Sequence, residues 1–305
     1  MSENILEVKN LVKKYGNFYA VNGISFAVPK GKVIGFLGPN GAGKTTTIQM
    51  LLGITQVNGG TITYFGKDFS KYRVECLQRI NFTSAFNTLL GRISVWENLV
   101  VFAKMYQVKN TNAKILKLME IFEITELKNE LYQNLSAGQK TRVNLVKSLI
   151  NDPELILMDE PTASLDPDIA DKTLTLIETL KHERNLAILY TSHNMNEITR
   201  ICDEVIFLDH GKIVAHDTPE NLTKKINTAV IRLQVFENIA LLEKYLREHS
   251  LKYSIVDTHT FEILTSEKLI PKVLFGISKT NIFISDIEIQ KPSLEDVFLK
   301  IARKE

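Results

Sequence analysis

Gly38-Pro39-Asn40-Gly41-Ala42-Gly43-Lys44-Thr45 gathers three glycines, a lysine and a hydroxyl within eight residues. That combination suits a phosphate group. Glycines let backbone N–H groups turn inward around phosphate oxygens with no Cβ in the way. A helix starting near Lys44 adds the positive end of its dipole. Lys44 would reach the β- and γ-phosphates of a nucleotide, and the Thr45 hydroxyl would ligate Mg²⁺. Thr46 belongs to the same expected cradle.

A second chemical group lies at Asp159-Glu160, directly after the apolar run Leu155-Ile156-Leu157-Met158. A carboxylate at the carboxyl end of a buried strand stands where sheets of this class bind ligands. Asp159 suits direct or water-mediated contact with Mg²⁺, and Glu160 suits polarising a water for in-line attack on a γ-phosphate. The reaction so assembled is phosphoryl transfer to water, in which positioning and charge stabilisation carry most of the catalysis.

Leu135-Ser136-Ala137-Gly138-Gln139 narrows the class. It precedes an amphipathic helix with Val143, Val146, Leu149 and Ile150 on one face, and Ser136 as N-cap gives a second anion-binding helix end. The pentapeptide resembles the signature motif of ATP-binding cassette (ABC) proteins, with Ala137 in place of the commoner glycine. Other motifs follow in the family's order. Ser164-Leu165-Asp166 is similar to the D-loop, His193 to the switch histidine that touches the γ-phosphate, and Tyr15 in Lys14-Tyr15-Gly16 to the aromatic that stacks on adenine. The resemblance covers residues 5 to about 220. It implies a head-to-tail dimer in which the P-loop of one cassette and the signature of another clamp each ATP, with hydrolysis releasing them. It also implies a transmembrane permease as partner.

At one place the chain departs from the family. The glutamine that normally binds Mg²⁺ and senses the membrane partner aligns with Ala85, which cannot ligate a metal. Ser84 or Asn87 is the available substitute. Trp96, in the same region, reads equally as an interface anchor or as core.

These groups need a frame. Val33–Leu37, Leu155–Met158, Leu186–Tyr190 and Val205–Leu208 are almost wholly apolar, as strands buried on both faces are. Ile5–Val28 carries alternating segments broken at Gly16 and Gly23, expected to form antiparallel ribbon. From about residue 88 to 134 helical spacing dominates, which predicts a helical insertion beside the sheet. The expected fold is α/β: a P-loop NTPase of the ABC cassette type, a mixed sheet core with an antiparallel β subdomain and that helical insertion. The cassette spans residues 1–220. A linker is expected at 221–228 and a small α+β domain at 229–305, in the order strand, helix, strand, strand, helix, strand, with a last helix from Ser293.

Composition fits this frame. At 305 residues, with 44% hydrophobic and 24% charged side chains, the chain resembles an ordinary globular protein. Lys+Arg 37 against Asp+Glu 35 leaves +2, too balanced for a general nucleic-acid-binding surface, so no nucleic-acid partner is expected. Cys76 and Cys202 lack metal-ligand or redox spacing and read as reduced and cytosolic. The first residues carry no secretory signal, and no apolar stretch approaches the ~18 residues that span a bilayer. The expected location is the cytoplasmic side of the membrane, held there through the permease.

Among cassette ATPases, repair and chromosome types carry long coiled coils between P-loop and signature, and translation types carry two cassettes. The tail ending Pro292-Ser293-Leu294-Glu295-Asp296-Val297-Phe298-Leu299 resembles that of single-cassette exporter subunits for drugs, antibiotics, lipids or polysaccharides. The reading is therefore a Mg²⁺-dependent ATPase powering a separate permease, for export. The alternatives are a soluble non-transport ATPase with a regulatory tail domain, and an ATP-binding regulatory module without hydrolysis.

Overall fold

The computed structural model describes residues 3–84, 88–163, 165–280 and 282–303. The chain divides into two compact units at Pro219/Glu220.

The first unit is built on a six-stranded sheet. Its strands run in the order Lys212–Asp217, Glu204–Asp209, Val33–Leu37, Ala187–Thr191, Leu155–Asp159 and Ile80–Ser84. All neighbours are parallel except the first pair. Val33–Leu37 and Ala187–Thr191 are buried along their whole length, which is why they read as unbroken apolar runs. Phe36, Leu37, Leu157 and Leu189 are each 0% exposed, and burying a side chain of this size contributes about 1.5–3 kcal/mol.

Asn4–Tyr15 and Phe18–Pro29 form a long antiparallel ribbon, extended by Gly59–Tyr64 and Lys67–Asp68. Gly16 sits at its turn, but Gly23 does not break the second strand. Gly23 has φ +73°, and the pairing shifts there between Leu11↔Ile24 and Val12↔Asn22. The glycine thus makes a bulge inside a continuous strand. The helical insertion contains Val95–Met105 and Thr111–Ile121. Ser94 and Glu97 close a reciprocal capping box at the first of these. Trp96 is half-buried, with the Lys128 ammonium 4.2 Å from its ring centroid.

Helix Ala137–Ser148 joins the insertion to the sheet. Val143, Val146, Leu149 and Ile150 are all buried, and Lys147 from the same segment donates to Phe82 O (2.6 Å) and Asn81 Oδ1 (3.3 Å). Burial pushes the Lys147 ammonium down to about 8.

The second unit carries a four-stranded antiparallel sheet in the order Lys252–Ile255, Thr260–Ser266, Thr228–Val235, Ile284–Gln290. Ile231, Leu233 and Val235 are buried while Gln234 is exposed, and helices Ile239–Glu248 and Ile270–Ser278 pack onto the buried face through Leu242, Leu246, Val273 and Ile277. The stretch expected as a linker is not irregular. Helix Pro219–Lys224 occupies its first half and strand Thr228–Val235 begins at its end. A final helix, Leu294–Arg303, is opened by Ser293, whose Oγ accepts from Asp296 N at 3.2 Å. Among the described residues no helix is long and apolar enough to cross a membrane.

Asp203 fixes where the strand carrying the phosphate loop begins. Its carboxylate accepts from Val33 N at 2.8 Å and pairs with Lys181 at 2.7 Å and Lys32 at 3.0 Å. Burial works to raise the carboxyl, but these donors outweigh it and hold the group below the usual carboxylate range. A folded pKa below the unfolded one, near 3.9, means stabilisation that is complete above about pH 4 and lost as pH falls through the folded value. Asp203→Asn is therefore expected to lower unfolding free energy by about 1–2 kcal/mol at neutral pH. The difference from the unmodified chain, followed by denaturant unfolding, should close below about pH 4. A difference that persists unchanged to pH 3 would contradict this account.

Candidate functional site

The strand Val33–Leu37 leaves the sheet at Gly38 and the chain enters helix Lys44–Leu51 six residues later. The turn is held against its neighbours. A Cβ on Gly38 (φ +152°) would stand 2.3 Å from Leu208 O, and one on Gly43 (φ +104°) 2.4 Å from Ala20 O. Both contacts are to backbone, which cannot move aside, so any side chain at either position displaces the loop. Gly211 N donates to Ala42 O at 3.1 Å and pins the loop from a third direction. Inside it, Lys44 Nζ donates to Gly38 O (2.5 Å) and Pro39 O (3.2 Å). Burial pushes the Lys44 ammonium below its usual range, against the opposing pull of Glu160 and Asp159. An ammonium held by carbonyls and partly dehydrated is well placed to gain from an anion.

The two carboxylates come from the strand two places away. Asp159 pairs in register with Thr191 on one side and Ser84 on the other. Thr191 Oγ1 donates to Asp159 Oδ1 at 2.6 Å and accepts from Glu160 N at 3.0 Å. One hydroxyl thus holds the orientation of both acidic residues. Burial raises the Asp159 carboxyl; the Thr191 bond lowers it, Glu160 raises it and Lys44 lowers it. Glu160 has φ +49°, an uncommon left-handed conformation for a residue with a side chain. Its carboxylate lies 3.4 Å from His193 Nδ1, and the imidazole is itself 72% exposed.

A cavity of about 550 Å³ is lined by Tyr15, Phe18, Ala20, the loop and helix start from Asn40 to Thr46, Ser84, Asp159 and Glu160. The structure therefore brings Tyr15, Asn40, Gly41, Ala42, Gly43, Lys44, Thr45, Thr46, Asp159 and Glu160 to one place. Gly38 and Pro39 enter through the carbonyls that Lys44 contacts. Thr45 and Asp159 present two oxygen groups to that cavity, and among the described residues no cluster of three or more His, Cys, Asp or Glu could hold a metal ion. A hydroxyl and a carboxylate suit Mg²⁺, which keeps several waters and takes its remaining ligands from substrate phosphates. Ser84 is buried and lines the same cavity, whereas Ala85, Asn87 and Ser164 lie outside the described residues.

Ser136, Ala137, Gly138, Gln139 and Asp166 do not line it. Ser136 caps helix Ala137–Ser148: its Oγ accepts from Gln139 N at 3.3 Å while Gln139 Oε1 accepts from Ser136 N at 2.9 Å. Ser136 and Ala137 are exposed, and Asp166 is the exposed N-cap of helix Pro167–Arg184. A Cβ on Gly138 would approach Ile169 Cγ2 to 3.3 Å, so these two helix starts pack closely together. Neither Phe18 nor Thr191 stands out in the sequence. Phe18 is one more aromatic in a ribbon rich in them, and the importance of Thr191 depends on a strand register that spacing alone does not reveal.

The ABC transporter family profile matches residues 21–163. The chain is similar to the linearmycin resistance ATP-binding protein LnrL of Bacillus subtilis (strain 168), at 32% identity over 97% of this chain and 98% of that protein. It is equally similar to the bacitracin transport ATP-binding protein BcrA of Bacillus licheniformis, at 32% identity over 97% of each. Among solved structures, an ATP-binding cassette of an ABC transporter in its ADP conformation superposes with TM-score 0.63 at 26% identity, over 72% of this chain and 92% of that one. A dimeric cassette bound to ADP and Pi gives TM-score 0.63 at 21% identity, a likeness of fold. The chain belongs to the ABC transporter family, as an ATP-binding and ATP-hydrolysing subunit.

Proposed function

We propose that this subunit hydrolyses Mg²⁺-ATP in a dimer of cassettes and drives a separate transmembrane permease in export. The observation that carries the reading is the cavity in which Lys44, Thr45, Asp159 and Glu160 face one another, with Tyr15 also in its wall.

In this reading Tyr15 stacks on the adenine, worth about 1 kcal/mol. The backbone from Gly38 to Gly43 and the side chains of Lys44 and Thr46 hold the phosphates. Lys44 exchanges its loop carbonyls for phosphate oxygens, which offsets the dehydration of its ammonium. Thr45 and Asp159 hold the Mg²⁺, which supplies charge neutralisation at the phosphates. Glu160 orients and polarises the attacking water, and His193 contacts the γ-phosphate.

Ser136, Ala137, Gly138, Gln139 and Asp166 serve the partner cassette. The exposure of Ser136, Ala137 and Asp166 supports that role, because a capped helix N-terminus open to solvent can meet a γ-phosphate held by another copy. ATP and ADP then differ in how well they favour the closed pair. Glu160 and the signature are both present, so two identical copies would form two competent sites. The subunit works at the cytoplasmic face through its permease, and no nucleic acid takes part.

Export is supported by the relatives, whose names refer to linearmycin resistance, bacitracin transport and Nod factor export. The cargo class in this reading is an antibiotic or similar small molecule.

Affinity capture of Glu160→Gln from native membranes, in mild detergent with ATP-Mg²⁺, tests the whole reading. A stoichiometric polytopic membrane protein is expected to co-purify; an ATP-bound protein recovered without one would move the function to a soluble ATPase. Lys44→Ala should abolish measurable ATP turnover, and nucleotide binding followed by fluorescence should weaken at least tenfold. Wild-type turnover in that variant would remove Lys44 from the site. His193→Ala should reduce kcat at least tenfold with little change in ATP affinity, and an unchanged kcat would remove His193 from the γ-phosphate.

A further inference from the structure

Away from the nucleotide cavity, one carboxylate is buried with no cation beside it. Glu197, on the short helix Met195–Ile201, is 7% exposed, and it forms no ion pair among the described residues. Its carboxylate is met by hydroxyls instead. Glu197 Oε2 accepts from Thr162 Oγ1 at 2.8 Å, Tyr190 OH at 2.9 Å and Ser192 Oγ at 2.9 Å. Asn194 Nδ2 adds a longer contact of 3.4 Å to Oε1. An ionised carboxylate is acceptor-only and can serve several donors at once, whereas an amide in its place offers one oxygen and brings two hydrogens of its own.

The donors come from chain segments that matter. Thr162 lies two residues after Glu160. Ser192 and Asn194 flank His193, and Ser192 Oγ also accepts from Asn194 N at 3.0 Å, closing a turn around the histidine. Glu197 is therefore the shared acceptor between the segment that carries Glu160 and the segment that carries His193, the two side chains 3.4 Å apart. Losing that acceptor leaves three buried hydroxyls to find new partners, and each segment loses its anchor to the other.

We propose that Glu197 is a positioning residue for ATP hydrolysis, acting through His193 by fixing the His193 loop against the segment Glu160–Thr162. The proposal rests on the reading of Glu160 and His193 given above. It assigns Glu197 no contact with nucleotide.

The test is steady-state ATP hydrolysis by the full-length chain carrying Glu197→Gln, His193→Ala and both together, with thermal unfolding recorded for each. Glu197→Gln is expected to lower kcat at least tenfold with KM for ATP changed less than twofold. In the His193→Ala background it should lower kcat by less than twofold further, because its effect runs through the histidine. Thr162→Val should reproduce the loss of kcat and Thr162→Ser should restore it. This pair keeps Glu197 in place and decides the matter if Glu197→Gln does not fold. If His193→Ala alone leaves kcat unchanged, the reading of His193 fails, and this proposal with it. If His193→Ala slows turnover but Glu197→Gln and Thr162→Val do not, only the proposal for Glu197 is overturned. Losses that multiply in the double variant would equally overturn it, since the carboxylate would then act independently of the histidine.

Discussion

Three adjacent parallel strands end at the same edge of one sheet, and the placement of the glycine loop, the two carboxylates and the histidine follows from that. Val33–Leu37, Ala187–Thr191 and Leu155–Asp159 are hydrogen-bonded neighbours in register. The first releases the glycine loop, the second Ser192 and His193, and the third Asp159 and Glu160. Parallel strands buried on both faces cannot slip by one residue without turning their apolar side chains around. The relative height of loop, histidine and carboxylates is therefore fixed by core packing, far more firmly than flexible loops would fix it. Thr191 shows the economy of the arrangement, since one hydroxyl meets both Asp159 and Glu160 N.

Much of this was legible in the sequence because it rests on local chemistry. The unbroken apolar runs mark the buried strands, and the glycine-lysine-threonine string marks a phosphate loop whatever surrounds it. Ser136 and Gln139 are spaced as a capping box and form one. The order of elements in the second unit is equally local, with Ile231, Leu233 and Val235 alternating as a half-buried strand does. What the sequence hid is what depends on register and burial. Gly23 reads as a break but acts as a bulge, because a partner strand supports the backbone on either side. Nothing in the sequence marks Glu197, which three hydroxyls from separate segments enclose. Helix Pro219–Lys224 is too short for periodicity to separate it from a polar linker.

The expected site residues also fall into two groups along the chain. The loop, its lysine and the two carboxylates line the cavity, while Ser136, which caps its helix, and the N-cap Asp166 are exposed and do not line it. A triphosphate held as proposed keeps a strongly charged end, to which the N–H groups of a second helix N-terminus can donate. In the proposed cycle the γ-phosphate is thus the adhesive between copies, and its hydrolysis is what frees them.

The most direct test of this account is the association state of Glu160→Gln by sedimentation velocity, with ATP-Mg²⁺, with ADP-Mg²⁺ and without nucleotide. The account predicts a dimer with ATP-Mg²⁺ alone and a monomer under the other two conditions. A monomer at saturating ATP-Mg²⁺, or a dimer indifferent to nucleotide, would contradict it.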